Sequence, residues 1–184
     1  ADVVERFGEG VARATNWQSL VLRWVNEAEL PALHAALSGL GLGAAQPALL
    51  RHMVTCTGAS TCRLGICLAR GLANAIERRW SKSVSQWKPA TNALSLHISG
   101  CPNACGRHPV AQIGLYGAAR RVGGHMVPHY VVQLGGRVSE GETMLASGSY
   151  LVPARAVPAF LEEFLAAFDA SPLNPDFDSF LRKG

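Results

Sequence analysis

Apolar positions alternate along residues 11–25, with Leu20, Leu22 and Trp24 on one face and Val21, Arg23 and Val25 on the other. A period of two predicts a strand. The period then lengthens: Leu30, Leu33, Leu37 and Leu40 are spaced to share one face of a helix. Pro31 falls in its first turn, where a missing N–H costs little, and Gly39, Gly41 and Gly43 end it. Residues 44–47 read as a seam between two lobes, 1–46 and 47–184. The longest helical pattern runs from Ser60 to Trp80, with Leu64, Leu68, Leu72 and Ile76 on one side. Arg63, Arg70, Asn74, Glu77 and Arg78 take the other. Cys62 then belongs to the first turn, where free N–H groups and the positive dipole end stabilise a thiolate. A polar linker from Ser81 to Asn92 leads to a period-two strand through Leu94, Leu96 and Ile98. Two or three more strands are predicted across 111–138, with Pro128 delaying its own strand or lying on an edge. Val157, Phe160, Leu161, Phe164, Leu165 and Phe168 describe a closing amphipathic helix with Pro158 near its start. Strands and helices mix without strict βαβ alternation, so the fold class is α+β.

Composition narrows the functional classes. Of 184 residues, 48% are hydrophobic and 16% charged, which suits one domain, or one domain with a small lobe, and no disordered tail. No apolar run approaches the ~18 residues of a membrane helix. Ala1–Arg6 lacks a basic-then-apolar signal pattern, and the missing initiator methionine points to processing or to an excised piece. Five cysteines do not make a secreted disulfide framework, so a reducing, cytoplasmic setting is expected. The net charge of +4 suits steering of an acidic electron donor, or is plain surface chemistry. No basic stripe interleaved with aromatics argues for nucleic acid.

Four cysteines fall into two pairs, Cys56-Thr-Gly-Ala-Ser-Thr-Cys62 and Cys101-Pro-Asn-Ala-Cys105. Four thiolates converging from two loops are the ligand set of an iron–sulfur cluster. Glycines and a proline around the second pair let the backbone approach a bulky ligand closely. Zinc also takes four thiolates, but the first pair is wider than the usual C-x2–4-C knuckle. Spacing alone leaves cluster, zinc and disulfide open. Cys67 lies on the apolar stripe and reads as a buried core thiol. His125 and His129 flank Pro128 in an expected turn and read as structural or surface residues rather than a separate metal site. Arg13 and Arg63 read as solvated side chains.

Thr55–Leu64 followed by Ile98–Arg107 resembles the cluster-binding signature of the sirohaem-dependent nitrite and sulfite reductases. Ala111–Gly117 and Tyr130–Gly136 resemble the glycine-punctuated strands downstream of it, and Val11–Leu22 the strand pair opening the family's ferredoxin-like half-domain. The resemblance spans nearly the whole chain. It implies a ferredoxin-like half-domain over 1–46, then a cluster-binding domain with a mixed sheet and flanking helices over 47–184. It further implies that Cys56, Cys62, Cys101 and Cys105 ligate a [4Fe–4S] cluster, Cys105 also bridging to the sirohaem iron. Arg107 and His108 become candidates for a sirohaem carboxylate, against a loop-bracing role for each. The implied reaction is six-electron reduction of sulfite to sulfide or nitrite to ammonia, with both small oxyanions open. A ferredoxin or a flavoprotein would supply electrons, and a complementary N-terminal half or partner subunit the remaining cations. The chain is thus expected to be the C-terminal part of a larger reductase. A precorrin-oxidising relative fits the second cysteine pair less well. A non-catalytic iron–sulfur electron-transfer or assembly module, and more distantly a zinc site, are the alternatives.

Overall fold

The computed structural model describes residues 1–80 and 82–183. Contacts divide the chain into two units, Ala1–Gln46 and everything from Pro47 onward.

In the first unit, helix α1 (Asp2–Phe7) precedes an antiparallel hairpin of β1 (Ala12–Ala14) and β2 (Leu20–Leu22), in register Ala12↔Leu22. Thr15 Oγ1 organises the turn by accepting from the N–H groups of Trp17 and Ser19. The strand predicted through residue 25 stops at Leu22. Trp24 takes a left-handed backbone (φ 59°), which breaks the pleat, and Asn26 Oδ1 then caps the next turn by accepting from Ala28 N–H. Helix α2 (Leu30–Gly39) carries Pro31 in its first turn, as the spacing predicts. Arg13 pairs with Glu9 at 3.2 Å on the surface.

The second unit is built on a five-stranded mixed sheet. Helix α3 (Ala48–Arg51) leads into β3 (Val54–Thr55), followed by α4 (Ala69–Trp80), α5 (Pro89–Asn92) and β4 (Leu96–Ser99). Then come β5 (Ile113–Val122), β6 (His125–Leu134), the small hairpin β7 (Arg137–Ser139) and β8 (Glu142–Met144), and β9 (Ser147–Pro153). The sheet order is β3-β4-β5-β6-β9, parallel at its first two junctions and antiparallel at the others. Helices α6 (Val157–Ala170) and α7 (Phe177–Lys183) complete the unit. The fold is α+β.

Helix α4 meets α6 through a buried Trp80, whose indole N–H donates to the Pro158 carbonyl at 3.0 Å, and through Arg79–Glu162 at 2.7 Å. Asp169 accepts from Lys88 N–H and the Thr91 hydroxyl, fastening α5 beneath the end of α6. Phe164 and Phe168 pack edge-on against Phe177, so the short α7 is held by aromatic area that its own length cannot supply.

Several elements depart from the pattern reading. Helix α4 begins at Ala69, not near Ser60, which leaves Leu64 and Leu68 exposed. The predicted linker contains α5, and Ser81 lies outside the described residues. Pro128 sits within β6, opposite Ala119 of β5, while β9 pairs only from His129 onward. Position 128 therefore has a sheet neighbour on one side, where a missing N–H is tolerated. The turn expected beside it lies instead at Gly123–Gly124, both left-handed, so His125 and His129 are strand residues. Strands β8 and β9 and helix α7 carried no period strong enough to predict. Phe168→Ala is expected to lower the unfolding free energy by about 3–5 kcal/mol, read from the urea midpoint at an unchanged slope.

Candidate functional site

Strands β3 and β4 run parallel in register Thr55↔Ile98, so both end at the same level of the sheet. Each then delivers a cysteine segment: Cys56 follows β3, and Gly100-Cys101 follows β4. Loops at the carboxyl ends of parallel strands are where such sheets build binding sites. Cys56 N–H donates to Ile98 O at 3.1 Å, and Cys56 Sγ accepts from the N–H groups of Gly100 (3.1 Å) and Gly58 (3.3 Å). Two backbone donors are thus aimed at one sulfur.

The loops touch through glycines. A Cβ on Gly100 would lie 2.6 Å from Gly58 Cα and 2.8 Å from Cys67 O, so the backbones meet at a distance no side chain permits. The Gly100 carbonyl accepts from both Ile66 and Cys67 N–H at 2.9 Å, and Ala59 N–H donates to Cys67 O. These bonds explain the late start of α4, because Ile66 and Cys67 spend their N–H groups on the second cysteine loop and Cys67 O is taken by Ala59. Cys62 consequently occupies a tight turn, with its N–H on Gly58 O at 3.0 Å, rather than the first turn of a helix. The helix-dipole argument for its thiolate fails. Arg63 is exposed in the same loop.

The second loop is braced from β4. All four β4 residues are buried; Leu96 and Ile98 face the core, while the polar pair holds the loop. His97 Nδ1–H donates to Arg107 O at 2.9 Å. Ser99 Oγ accepts from Gly106 N–H at 3.1 Å and lies 2.9 Å from His108 Nδ1, its own proton available to that nitrogen. His108 is 4% exposed and packs its ring on Tyr116, a placement that favours bracing over contact with an outside carboxylate. Burial lowers the pKa of His108, with His97 adding to it, and burial also lowers that of His97. Ala104 and Arg107 both take left-handed backbones (φ 57° and 59°) on either side of the Cys105–Gly106 corner. Such conformations persist only where the surroundings over-determine them.

All five cysteines are free thiols. Cys101 is buried, Cys56 and Cys62 half-buried, and Cys105 exposed at the outer end of its loop. Cys67 is a core thiol: its S–H donates to His129 O at 3.2 Å, and burial pushes its pKa up. The strands bring Cys56 and the Cys101 loop together. Among the described residues, no three cysteine, histidine or carboxylate side chains gather closely enough to hold a metal ion. His125 is exposed and His129 is buried with Nδ1 on Val127 O. An all-sulfur donor set with backbone N–H groups on its sulfur fits a polynuclear iron–sulfur group. Sequence reasoning assigned no role to His97, Ser99 or Tyr130. The buried Tyr130 hydroxyl has no hydrogen-bond partner among the described residues. The alternation of β4 was the available signal for His97 and Ser99, since both polar residues share the face opposite Leu96 and Ile98.

A family profile described as the nitrite/sulfite reductase ferredoxin-like half domain matches residues 1–40. A ferredoxin–nitrite reductase of Synechococcus elongatus is 35% identical over 139 residues, covering 75% of this chain and 26% of the relative. A sulfite reductase [ferredoxin] of Mycolicibacterium paratuberculosis is 33% identical over 145 residues, covering 76% and 26% respectively. The solved structure of the Mycobacterium tuberculosis NirA protein matches the whole chain with a TM-score of 0.81 at 26% identity, over 34% of its own length. The chain thus spans about a quarter of the length of these curated relatives.

Gly100→Ala is expected to push the two loops apart and destabilise the fold by about 1–3 kcal/mol in thermal or urea unfolding. Stability is also expected to depend on pH through His97 and His108. Their folded-state pKa values lie below the ordinary 6.5, so their contribution is complete above that pH. As pH falls, the unfolded chain binds protons the folded one refuses, and the contribution is lost as pH falls through the folded-state values. Unfolding free energy measured from pH 7.5 downward checks this, and His108→Gln should flatten the slope.

Proposed function

Because the chain belongs to the nitrite/sulfite reductase family, we propose that its cysteine loops make it the cluster- and haem-bearing part of an oxidoreductase that takes sulfite to sulfide or nitrite to ammonia. The observation that carries this reading is the pairing of β3 with β4, which delivers two cysteine loops side by side with backbone N–H groups on the Cys56 sulfur.

In this reading Cys56, Cys62, Cys101 and Cys105 hold a [4Fe–4S] cluster, and the Cys105 thiolate is shared with a sirohaem iron. The graded exposure of the sulfurs supports that division: Cys101 is buried against the fold, and Cys105 stands at the rim, where a second group has access. When bound, such a pair would relay six electrons from an external donor to the oxyanion, whose oxygens would leave as water with added protons. The chain's own residues keep the sulfurs in position. Gly100 and Gly58 donate to Cys56, Ser99 and His97 hold the loop carrying Cys105, and Arg107, two residues beyond Cys105, is the candidate cation for a sirohaem carboxylate. His108 serves as a brace for that loop through Ser99 rather than as a charged contact.

A small anionic substrate needs further positive charge and protons. A complementary half or partner subunit supplies these, a reading supported by the much greater length of the relatives. In the first unit, Leu20, Trp24, Leu40 and Leu42 are each more than 60% exposed, apolar surface of the kind a partner covers. Ferredoxin is the proposed electron donor, as the relatives' names state for them, and the net charge of +4 favours an acidic protein of that kind. Free thiols suit a reducing cytoplasm. Among the described residues, no helix is long and apolar enough to cross a membrane.

Anaerobic reconstitution with iron and sulfide should give about four irons per chain and a broad visible absorption. Cys56→Ser and Cys101→Ser should each cut the iron bound severalfold. With sirohaem and a complementary half present, Cys105→Ser should abolish or shift the Soret band. Unchanged iron and colour in that variant would sink the proposal, and zinc uptake without colour would favour a structural site.

A further inference from the structure

Strand β5 runs on past Tyr116, whose partner Ser99 is the last residue of β4, and β6 pairs with β9 only from His129 onward. The two-stranded arm from Ala119 to Pro128 therefore extends beyond both neighbouring strands, at the end of the sheet where β4 hands over to Gly100 and Cys101. Opposed residues of an antiparallel pair share a face, and so do alternate residues of one strand. Arg121, Met126 and Pro128 thus lie on one face of the arm. On that face a cleft is lined by Pro128 at the arm's root, by Ile66 and Leu68 ahead of α4, and by Arg155 between β9 and α6.

Ile66, Leu68 and Met126 are all exposed, an apolar grouping of the kind that marks a protein contact. Its charged companions are basic. Arg121 and Arg155 are exposed, and neither forms an ion pair among the described residues. Arg121 donates to Gly124 O at 3.2 Å, which keeps its guanidinium on the arm. Carboxylates are kept away: between Glu29 and Glu140 the sequence holds one, Glu77, and residues 143–161 hold none. The surplus positive charge is therefore concentrated in the segments that build this end of the unit. Ile66 and Cys67 N–H groups both bond to Gly100 O, so the lip of the cleft is joined through one carbonyl to the residue before Cys101.

We propose that the cleft between the Ile66–Leu68 lip and the β5–β6 arm is the docking surface for an acidic electron-carrier protein, with Arg121 and Arg155 meeting its carboxylates around an apolar centre. This deepens, and rests on, the cluster and donor reading given above. Each encounter passes one electron: the carrier is oxidised and the cluster reduced by the same amount. Opposite charge brings the carrier in and sets its orientation, while Ile66, Leu68 and Met126 exclude water from the contact. A carrier seated there stands over the segment hydrogen-bonded to Gly100, a short covalent and hydrogen-bonded path from the Cys56 and Cys101 sulfurs.

The test uses the full chain reconstituted anaerobically with iron and sulfide, and an acidic two-iron ferredoxin as the probe. Affinity is measured by calorimetric titration, and cluster reduction by stopped flow with either reduced ferredoxin or dithionite. At low ionic strength R121E/R155E should bind ferredoxin about tenfold more weakly and accept its electrons correspondingly more slowly. Added salt should narrow the gap. The charge-keeping R121K/R155K should stay near wild type, as should R182E, which makes a like charge reversal on α7. Dithionite should reduce every loaded protein at one rate. Equal ferredoxin affinity in wild type and R121E/R155E would overturn the inference and leave the cluster reading intact. A loss just as large in R182E would assign the effect to net charge and overturn it too. No ferredoxin binding by the loaded wild type would mean that another partner, such as the complementary half, covers the cleft, and would also overturn it. Failure of the wild type to take up iron would overturn the inference and the cluster reading together.

Discussion

The peptide unit at Gly100 holds both cysteine loops in one frame. Its N–H meets the Cys56 sulfur, its carbonyl takes the N–H groups of Ile66 and Cys67, and its Cα rests on Gly58. Three close contacts on one residue without a side chain mean that neither loop has an independent position. The parallel pairing of β3 with β4 sets the level at which they meet, and the core beneath fixes that pairing: Val54, Leu96 and Ile98 are almost wholly buried. Sheet register, glycine packing and sulfur placement are consequently one cooperative arrangement.

Much of this was legible in the residues. The helix through Val157–Phe168, the strand through Ile98, the short helix after Pro31 and the α+β class followed from period and punctuation, and the structure contains each. The cysteine spacing, with its neighbouring glycines, pointed to two loops that the parallel strands deliver side by side. What escaped the reading was set by contacts distant in sequence. Leu64 and Leu68 continue a four-residue period into a segment whose backbone is claimed by Gly100, so periodicity overshot the helix start by more than two turns. Trp24 fits an alternating pattern yet takes a left-handed backbone that ends it. Helix α7 is too short to announce itself and exists because Phe177 and Phe180 find the aromatic face of α6.

The polar residues of β4 follow the same lesson. Alternation in a strand usually separates core from solvent, but here it separates core from a second buried surface. His97 and Ser99 are as sheltered as Leu96 and Ile98, and their task is to grip the loop from Cys101 to His108. A sequence pattern records that the two faces differ in polarity. It does not record what each face touches.

The left-handed backbones at Ala104 and Arg107 enclose Cys105 in a bend that presents its sulfur outward, while Cys101 sits inside. Accessibility therefore ranks the sulfurs, and chemical damage should follow that ranking. An oxidant arriving from solvent meets the rim thiol first and the interior one last. The corner that leaves Cys105 accessible is by the same geometry the point at which the loop is most vulnerable to air.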